Sequence, residues 1–486
     1  MQEAKTEKTF FGHPRQLSTI FHIELWERFS FYGMHAILLF YLYFEVTKGG
    51  LGIDKAEAGG MVGIYTGSVY LATLFGGWLA DRVLGAERTL FYSAIVVMAG
   101  HIALAVLPSN SQNLTGLVVG LALIAIGSGG IKGPANAMVG ALYEKPALRH
   151  MRDAGFSIFY LSINVAGFLG PLIVGYLQDR VGFHYAFGAA AVGMAIGLVL
   201  YSFGRKNLPH LPVLKPLQKK EKIISFAAII AGLLVIVGAL QAGWVNGKNI
   251  KDVLLGVMLT LSVIYFARLF IQGKAMGANR HYMIAYIPLF IVTSIFWMVW
   301  YQVYVAVGIY FESTVNRMIG TFEIPPGWLG TTQSIWVVLL ASALAWCWMK
   351  MGDKQPKTPT KFAIAMVIVG IGFACFLPFL YNAIPMPLIG IVGVMFVWSV
   401  GELMLSPISL SFATKIAPEQ FKTQMVGLNF LAIGMGTIAG GKVFSLFYDE
   451  KDLSILFELM MYTGFITGVV LFVLSPVLNR LLKGSE

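Results

Sequence analysis

Charge is scarce in this sequence. Only 12% of its 486 residues are Asp, Glu, Lys or Arg, against about 25% in soluble domains. So few charges cannot coat the surface of a chain this long, and a soluble globular fold is excluded. Cysteine is scarcer still. Cys347 and Cys375 are the only two, and each falls inside a separate apolar run, toward opposite membrane faces. A disulfide framework is therefore excluded, no metal site is expected, and the expected role of both is that of small buried hydrophobes. The chain has no H-E-x-x-H, no paired aspartates within apolar runs and no Ser–His pair at one depth, so it does not read as an enzyme. A signal peptide is also missing: the first apolar run is too long, holds ionised residues and lacks a small-residue cleavage site.

What fills the chain instead is hydrocarbon. Hydrophobic residues make up 57% of it and mean hydropathy is +0.73, which indicates an all-α polytopic membrane protein. Periodicity and length predict spans at 16–44, 57–80, 89–107, 115–142, 154–177 and 183–203. A basic connector follows at 204–222, punctuated by Pro209, Pro212 and Pro216, then two apolar helices at 223–244 and 252–273. Six more spans cover 282–311, 328–349, 361–380, 388–414, 422–447 and 453–482. The implied domains are an N-terminal six-helix bundle over 1–203, a connector with two accessory helices over 204–281, and a C-terminal six-helix bundle over 282–486, fourteen crossings in all.

The net charge of +11 does not indicate nucleic acid. Its basic residues gather in alternate loops, as in Lys145–Arg152, Arg205–Lys222 (with Lys215) and Lys350–Lys361, while Ser109–Asn113 and Asn382–Pro387 carry none. That is the positive-inside pattern, placing both termini in the cytoplasm of an inner (cell) membrane. A membrane-embedded monomer surrounded by lipid is expected. Helix 115–142 carries Lys132 and Pro134, and helix 388–414 carries Glu402 and Pro407. This correspondence between the halves suggests the major facilitator architecture, with substrate bound between two bundles near the midplane.

Glu24, Glu27 and Arg28 are spaced i, i+3, i+4 on one face of the first span, about 12–18 Å into the apolar run. Each unpaired charge there would cost about 2.5–3.5 kcal/mol. Lys132, Asn164, Trp297 and Glu402 fall at similar depths in other spans, so one hydrated cavity would relieve most of that cost. Arg28 and Lys132 suit a carboxylate, and Glu402 across the cavity suits an ammonium. A zwitterion such as a short peptide fits, with Tyr32, Tyr70 and Trp297 as walls. A plain Lys132–Glu402 bridge tying the bundles is the competing reading, and the two are compatible if the bridge acts as a gate. Gly127, Gly129, Gly130 and Gly133 beside Lys132 suit either rocking or close packing.

Three segments carry a family resemblance across nearly the whole chain. Glu24–Gly33 resembles the E-x-x-E-R-F-x-Y-Y-G motif of proton-dependent oligopeptide transporters, the bacterial type of which has the extra helix pair. Phe159–Gly167 is similar to that family's F-Y-x-x-I-N-x-G-S, and Gly401–Pro407 to its tenth-helix motif. Gly77–Arg88 resembles the superfamily's G-x-x-x-D-R-x-x-G-x-x-R, which implies gating by Asp81 and Arg82. The resemblance implies proton coupling by Glu24, Glu27, Arg28 and Glu402. It implies peptide binding by Arg28, Tyr32, Tyr70, Lys132, Asn164, Trp297, Gln333, Glu402 and Ser406. The implied activity is proton-coupled import of di- and tripeptides by alternating access, with the proton as coupling ion and no other cofactor. The alternative is a carrier of another small anion or drug-like solute on the same fold.

Four positions depart from the family pattern. Phe31 replaces a tyrosine, His35 stands where many members have arginine, Tyr301 stands where many have a carboxylate, and Thr66 occupies a position that is histidine in mammalian-type members. With Lys132 as a further gating residue, His35–Tyr301 is expected to be a hydrogen-bonded substitute for the missing gate pair. His35 could also titrate near neutral pH. His101 has no polar neighbours in sequence and reads as structural.

Overall fold

A computed structural model describes residues 9–209, 211, 213, 216–247, 249–273, 279–417 and 422–483. Pro212 and Lys215 of the predicted connector lie outside the described residues. In chain order the helices are α1 Gln16–Tyr43, α2 Lys55–Leu79, α3 Ala86–Val106, α4 Thr115–Leu142, α5 Arg152–Arg180 and α6 Phe183–Gly204. The accessory pair is α7 Lys219–Gln241 and α8 Ile250–Gly273. Then come α9 Arg280–Tyr304, α10 Ala306–Ser313, α11 Leu329–Met351, α12 Thr358–Ala374 and α13 Leu377–Tyr381. The last three are α14 Leu388–Ile416, α15 Lys422–Phe447 and α16 Ser454–Leu481. Two short hairpins, Thr9–Phe10 with His13–Pro14 and Met318–Ile319 with Phe322–Glu323, are the only strands among the described residues.

Every predicted span is found as helix. Two of the spans are interrupted. α9 and α10 meet at Val305 (φ −106°, ψ −71°), and α12 and α13 meet at Cys375–Phe376. No glycine or proline lies at 303–306, so nothing local in the sequence marks the first break. Thirteen helical segments among the described residues are long and apolar enough to cross a bilayer. α1 is long enough at 28 residues, but Glu24, Glu27 and Arg28 interrupt its apolar run.

Two six-helix bundles result. α1 packs on α5 and α6, and α4 packs on α2 and α3. In the other half α12 packs on α14 and α16, and α15 on α9. The glycines of α4 serve packing: a Cβ on Gly129 would fall 2.4 Å from the Ala72 carbonyl carbon. Cys347 and Cys375 are exposed on the bundle exterior, not buried as their small apolar character suggested. A thiol is apolar enough to face lipid, so helix rotation decides.

The bundles meet along α2–α15 and α5–α11. An even number of crossings puts the start of α1 and the end of α16 on one face, and the 44–54 loop lies on the other. On the far half, Tyr43 Oη donates to Glu312 Oε2 at 3.0 Å, Trp328 Nε1 to Leu172 O at 3.0 Å and Ser334 Oγ to Gly167 O at 2.9 Å. Ser445 Oγ donates to Ala56 O at 2.7 Å, and Lys55 pairs with Glu450 at 2.5 Å. Among the described residues no hydrogen bond or ion pair joins α4 to α14 on the terminal half. The protein is sealed at the far face. α8 is part of this seal: Lys251 Nζ donates to Ser445 Oγ at 3.0 Å, and Lys442 pairs with Asp252. The accessory pair thus joins the seam through α8, while most described side chains of α7 are exposed.

The seal depends on backbone proximity. A Cβ built on Gly63 would lie 3.0 Å from both Gly441 Cα and Thr437 O, so the helices touch without side chains between them. Gly63→Leu should force this seam apart at the cost of overpacking, about 1–3 kcal/mol. In a background without Cys347 and Cys375, a cysteine at Thr437 should then react with an impermeant maleimide from the far face roughly tenfold faster. An unchanged rate would show that the contact does not hold the seal.

Candidate functional site

Helix periodicity puts the three charges of α1 on one face, and the fold turns that face inward. Arg28 Nε donates to Glu24 Oε1 at 2.7 Å and lies 3.1 Å from Glu27 Oε2. Glu27 Oε1 accepts from Ser128 Oγ of α4 at 3.0 Å. Glu24, Glu27 and Arg28 are 2%, 0% and 6% exposed, so in this interior each depends on the others for solvation. Glu24 Oε2 and Glu27 Oε2 accept no hydrogen bond among the described residues.

Lys132 takes a different environment. Its Nζ lies 4.3 Å from the centre of the Tyr70 ring and 5.4 Å from that of Phe31. Arg28 Cζ lies 6.0 Å from the Phe31 ring. The Phe31 ring thus presents an aromatic face shared between two cations. Lys132 makes no ion pair among the described residues, so the Lys132–Glu402 bridge is not formed. Glu402 is held from its own half instead, where Gln333 Nε2 of α11 donates to Glu402 Oε2 at 2.6 Å and Tyr304 Oη donates to Gln333 Oε1 at 3.1 Å.

Between these groups lies a cavity of about 200 Å³ lined by Phe31, Tyr32, His35, Thr66, Tyr70, Asn164, Trp297, Tyr301, Tyr304, Gln333 and Glu402, among others. Of the residues predicted to bind peptide, Tyr32, Tyr70, Asn164, Trp297, Gln333 and Glu402 form its wall, and the predicted gate residues His35 and Tyr301 line it too. Glu24, Glu27, Arg28 and Lys132 do not line it; the two cations approach it across the Phe31 and Tyr70 rings. Ser406, one turn beyond Glu402, does not line it either. Its carbonyl accepts from Ser409.

The expected His35–Tyr301 bond is absent. Tyr301 Oη donates across the bundles to Gly59 O at 2.6 Å. His35 Nε2 instead meets Thr66 Oγ1 at 3.1 Å, and both residues line the cavity. Asp81 and Arg82 lie in a π-helical turn, Ala80–Leu84, away from the cavity. Arg82 Nη2 is 3.4 Å from Glu221 Oε2 at the start of α7. His101 is fully buried, and neither ring nitrogen is hydrogen-bonded among the described residues.

Two residues that hold the site's side chains, Tyr304 and Ser128, were missed from sequence, and Thr66 was noted only as a departure from the family pattern. Tyr304 is i+7 from Trp297, Ser128 is i−4 from Lys132, and Thr66 is i−4 from Tyr70. In each case helical spacing from a chosen residue was the available signal.

The comparisons with known proteins cover the whole molecule. A model of the POT family (PTR2) matches residues 87–458. An uncharacterized transporter, YclF of Bacillus subtilis strain 168, is 39% identical, covering 98% of this chain and 97% of the relative. A di-/tripeptide transporter of Lactococcus lactis subsp. cremoris is 37% identical and covers 98% of both. Among solved structures, a peptide transporter POT in complex with sulfate superposes with a TM-score of 0.92 at 36% identity, covering 98% of both chains.

Ser128 is the one hydroxyl donor to Glu27 among the described residues. Ser128→Ala leaves a fully buried carboxylate oxygen without it, at a cost of about 1–3 kcal/mol. The thermal midpoint in detergent should fall by about 1–3 °C, and Ser128→Thr should recover most of the loss. Equal midpoints for the alanine variant and the unaltered protein would show that Ser128 does not support the cluster.

Proposed function

The chain belongs to the POT family, and from that premise we propose that it is a proton-coupled symporter of di- and tripeptides. One observation carries the reading: a cavity with the Glu402 carboxylate in its wall and two cations, Arg28 and Lys132, behind the Phe31 and Tyr70 rings of the N-terminal bundle, in a chain similar over 98% of its length to a di-/tripeptide transporter. Lys132, resting on ring faces with no carboxylate partner, is available to a peptide carboxylate. Arg28 is not, because Glu24 and Glu27 hold it. Glu402 is presented by Gln333 to the ammonium end.

Charge counting then gives the coupling. Glu24, Glu27 and Glu402 against Arg28 and Lys132 leave the unloaded site with one net negative charge. A dipeptide zwitterion adds none. Enclosing the remaining charge in the low-dielectric interior is costly, and one proton removes it. Glu24 and Glu27, each paired with Arg28 and each with an Oε2 that accepts no hydrogen bond among the described residues, are the groups at which that proton releases Arg28 to help bind the peptide carboxylate. The bundles then close over a neutral site. Moving that proton inward across 100 mV supplies about 2.3 kcal/mol.

In this reading both termini and the basic loops face the cytoplasm of the cell membrane, and the structure is the state sealed to the outside. The unit 1–203 rocks against 282–486, with 204–281 riding along the seam. Asp81 and Arg82 brace the cytoplasmic side. The carrier acts as a monomer in lipid, changes no covalent bond in its substrate and uses no cofactor beyond the proton.

Reconstituted in liposomes, the protein should concentrate dialanine when the outside is acid, and dialanine should stabilise it where nitrate and hydrophobic cations do not. Stabilisation by nitrate or by a cation alone would favour the other-solute reading. Glu27→Gln should lose proton-driven accumulation yet retain counterflow exchange; full accumulation by this variant would refute the coupling assignment. Lys132→Ala should abolish the preference for free over esterified peptides, and a preserved preference would remove Lys132 from carboxylate binding.

A further inference from the structure

His35 has a hydrogen-bond arrangement that fixes where its proton sits. Thr66 Oγ1 lies 2.8 Å from Val62 O and 3.1 Å from His35 Nε2. Two oxygens at 2.8 Å require a hydrogen between them, and the Thr66 hydroxyl has only one. That hydrogen goes to Val62 O, so Thr66 receives its second bond from an Nε2–H on the imidazole. In the neutral ring Nδ1 is then a bare lone pair. Phe31 stacks at 5.9 Å and Tyr304 packs edge-on at 5.1 Å, which fixes the plane of the ring. Nδ1 bonds to no described residue and is not among the sealed, unpaired polar atoms, while His35 lines the cavity. The lone pair is open to the cavity.

Glu402 stands across the same cavity. Tyr304, against which His35 packs, donates to Gln333, and Gln333 donates to Glu402. An ammonium has three hydrogens to place, and one carboxylate does not satisfy them all. We propose that His35 is a substrate-specificity residue whose Nδ1 accepts a hydrogen bond from the peptide's terminal ammonium beside Glu402, with Thr66 as the positioning residue that locks the tautomer. This rests on the peptide reading of the cavity.

The test compares dialanine with propionyl-alanine, the same molecule without the ammonium, as competitors of labelled dipeptide uptake in proteoliposomes. His35→Phe keeps an aromatic ring but removes the acceptor. It should weaken dialanine about tenfold, the scale of one hydrogen bond to a charged group, and leave propionyl-alanine unchanged. The loss should appear in KM with kcat preserved. Thr66→Val frees the ring to carry its proton on Nδ1 and should give the same selective loss, while Thr66→Ser should restore dialanine binding. Equal weakening of both ligands by His35→Phe would overturn the proposal, as would undiminished dialanine binding in that variant. If Thr66→Val does not fold, the His35→Phe comparison decides alone. Failure of the unaltered protein to bind dialanine would instead sink the peptide reading itself, a separate outcome read from the same assay.

Discussion

The ion triplet of α1 is the constraint on which the rest depends. A helix with two carboxylates and a guanidinium at its centre cannot face lipid, so it must be surrounded. The surroundings have to solvate it, and the protein contacts are few: Arg28 lies between Glu24 and Glu27, and Ser128 caps Glu27 from α4. Close packing of α5 and α6 on α1 hides the cluster from the bilayer, which fixes the rotation of α1. That rotation in turn puts Phe31, Tyr32 and His35 on the cavity wall. The costly element and the functional wall are one turn apart on one helix.

From that wall the cavity divides by chemistry. The N-terminal bundle supplies cations that are screened by rings, and the C-terminal bundle supplies a carboxylate held by a chain of amide and phenol. Neither pole satisfies the other, since Lys132 and Glu402 do not pair. A direct bridge would have closed the site on itself and left a ligand to compete with a preformed ion pair. Keeping the charges on separate supports leaves both partly unsatisfied, and a molecule charged at both ends can complete them.

The sequence makes the spans and the charged cluster legible because both are periodic signals, and the number and order of the helices follow from length and apolarity alone. What it left obscure is partner choice. His35 bonds to Thr66 rather than Tyr301, and Glu402 to Gln333 rather than Lys132, because such choices turn on how far each helix is rotated about its axis. Residue spacing within one helix says nothing about the rotation of its neighbour. The lipid-facing cysteines have the same cause. The break at Val305 has no local signature, and packing between the bundles is what remains to set it.

A carrier's seal must also be cheap to undo, and the chemistry of the far-face seam meets that need. Ser445 Oγ lies 2.7 Å from Ala56 O across the seam and 2.9 Å from Gly441 O on its own helix. Its single hydrogen can swing from one carbonyl to the other by rotation about one bond, so parting the helices exchanges a hydrogen bond instead of losing it. Lys251 donates to the same oxygen and can follow it, because α8 is anchored to α15 through Asp252 and Lys442. The glycine contact beside it contributes only dispersion, which falls off smoothly with distance. Tyr301 is the exception. Its hydroxyl has no such alternative among the described residues, so its bond to Gly59 is the one polar contact of these two that opening must give up outright.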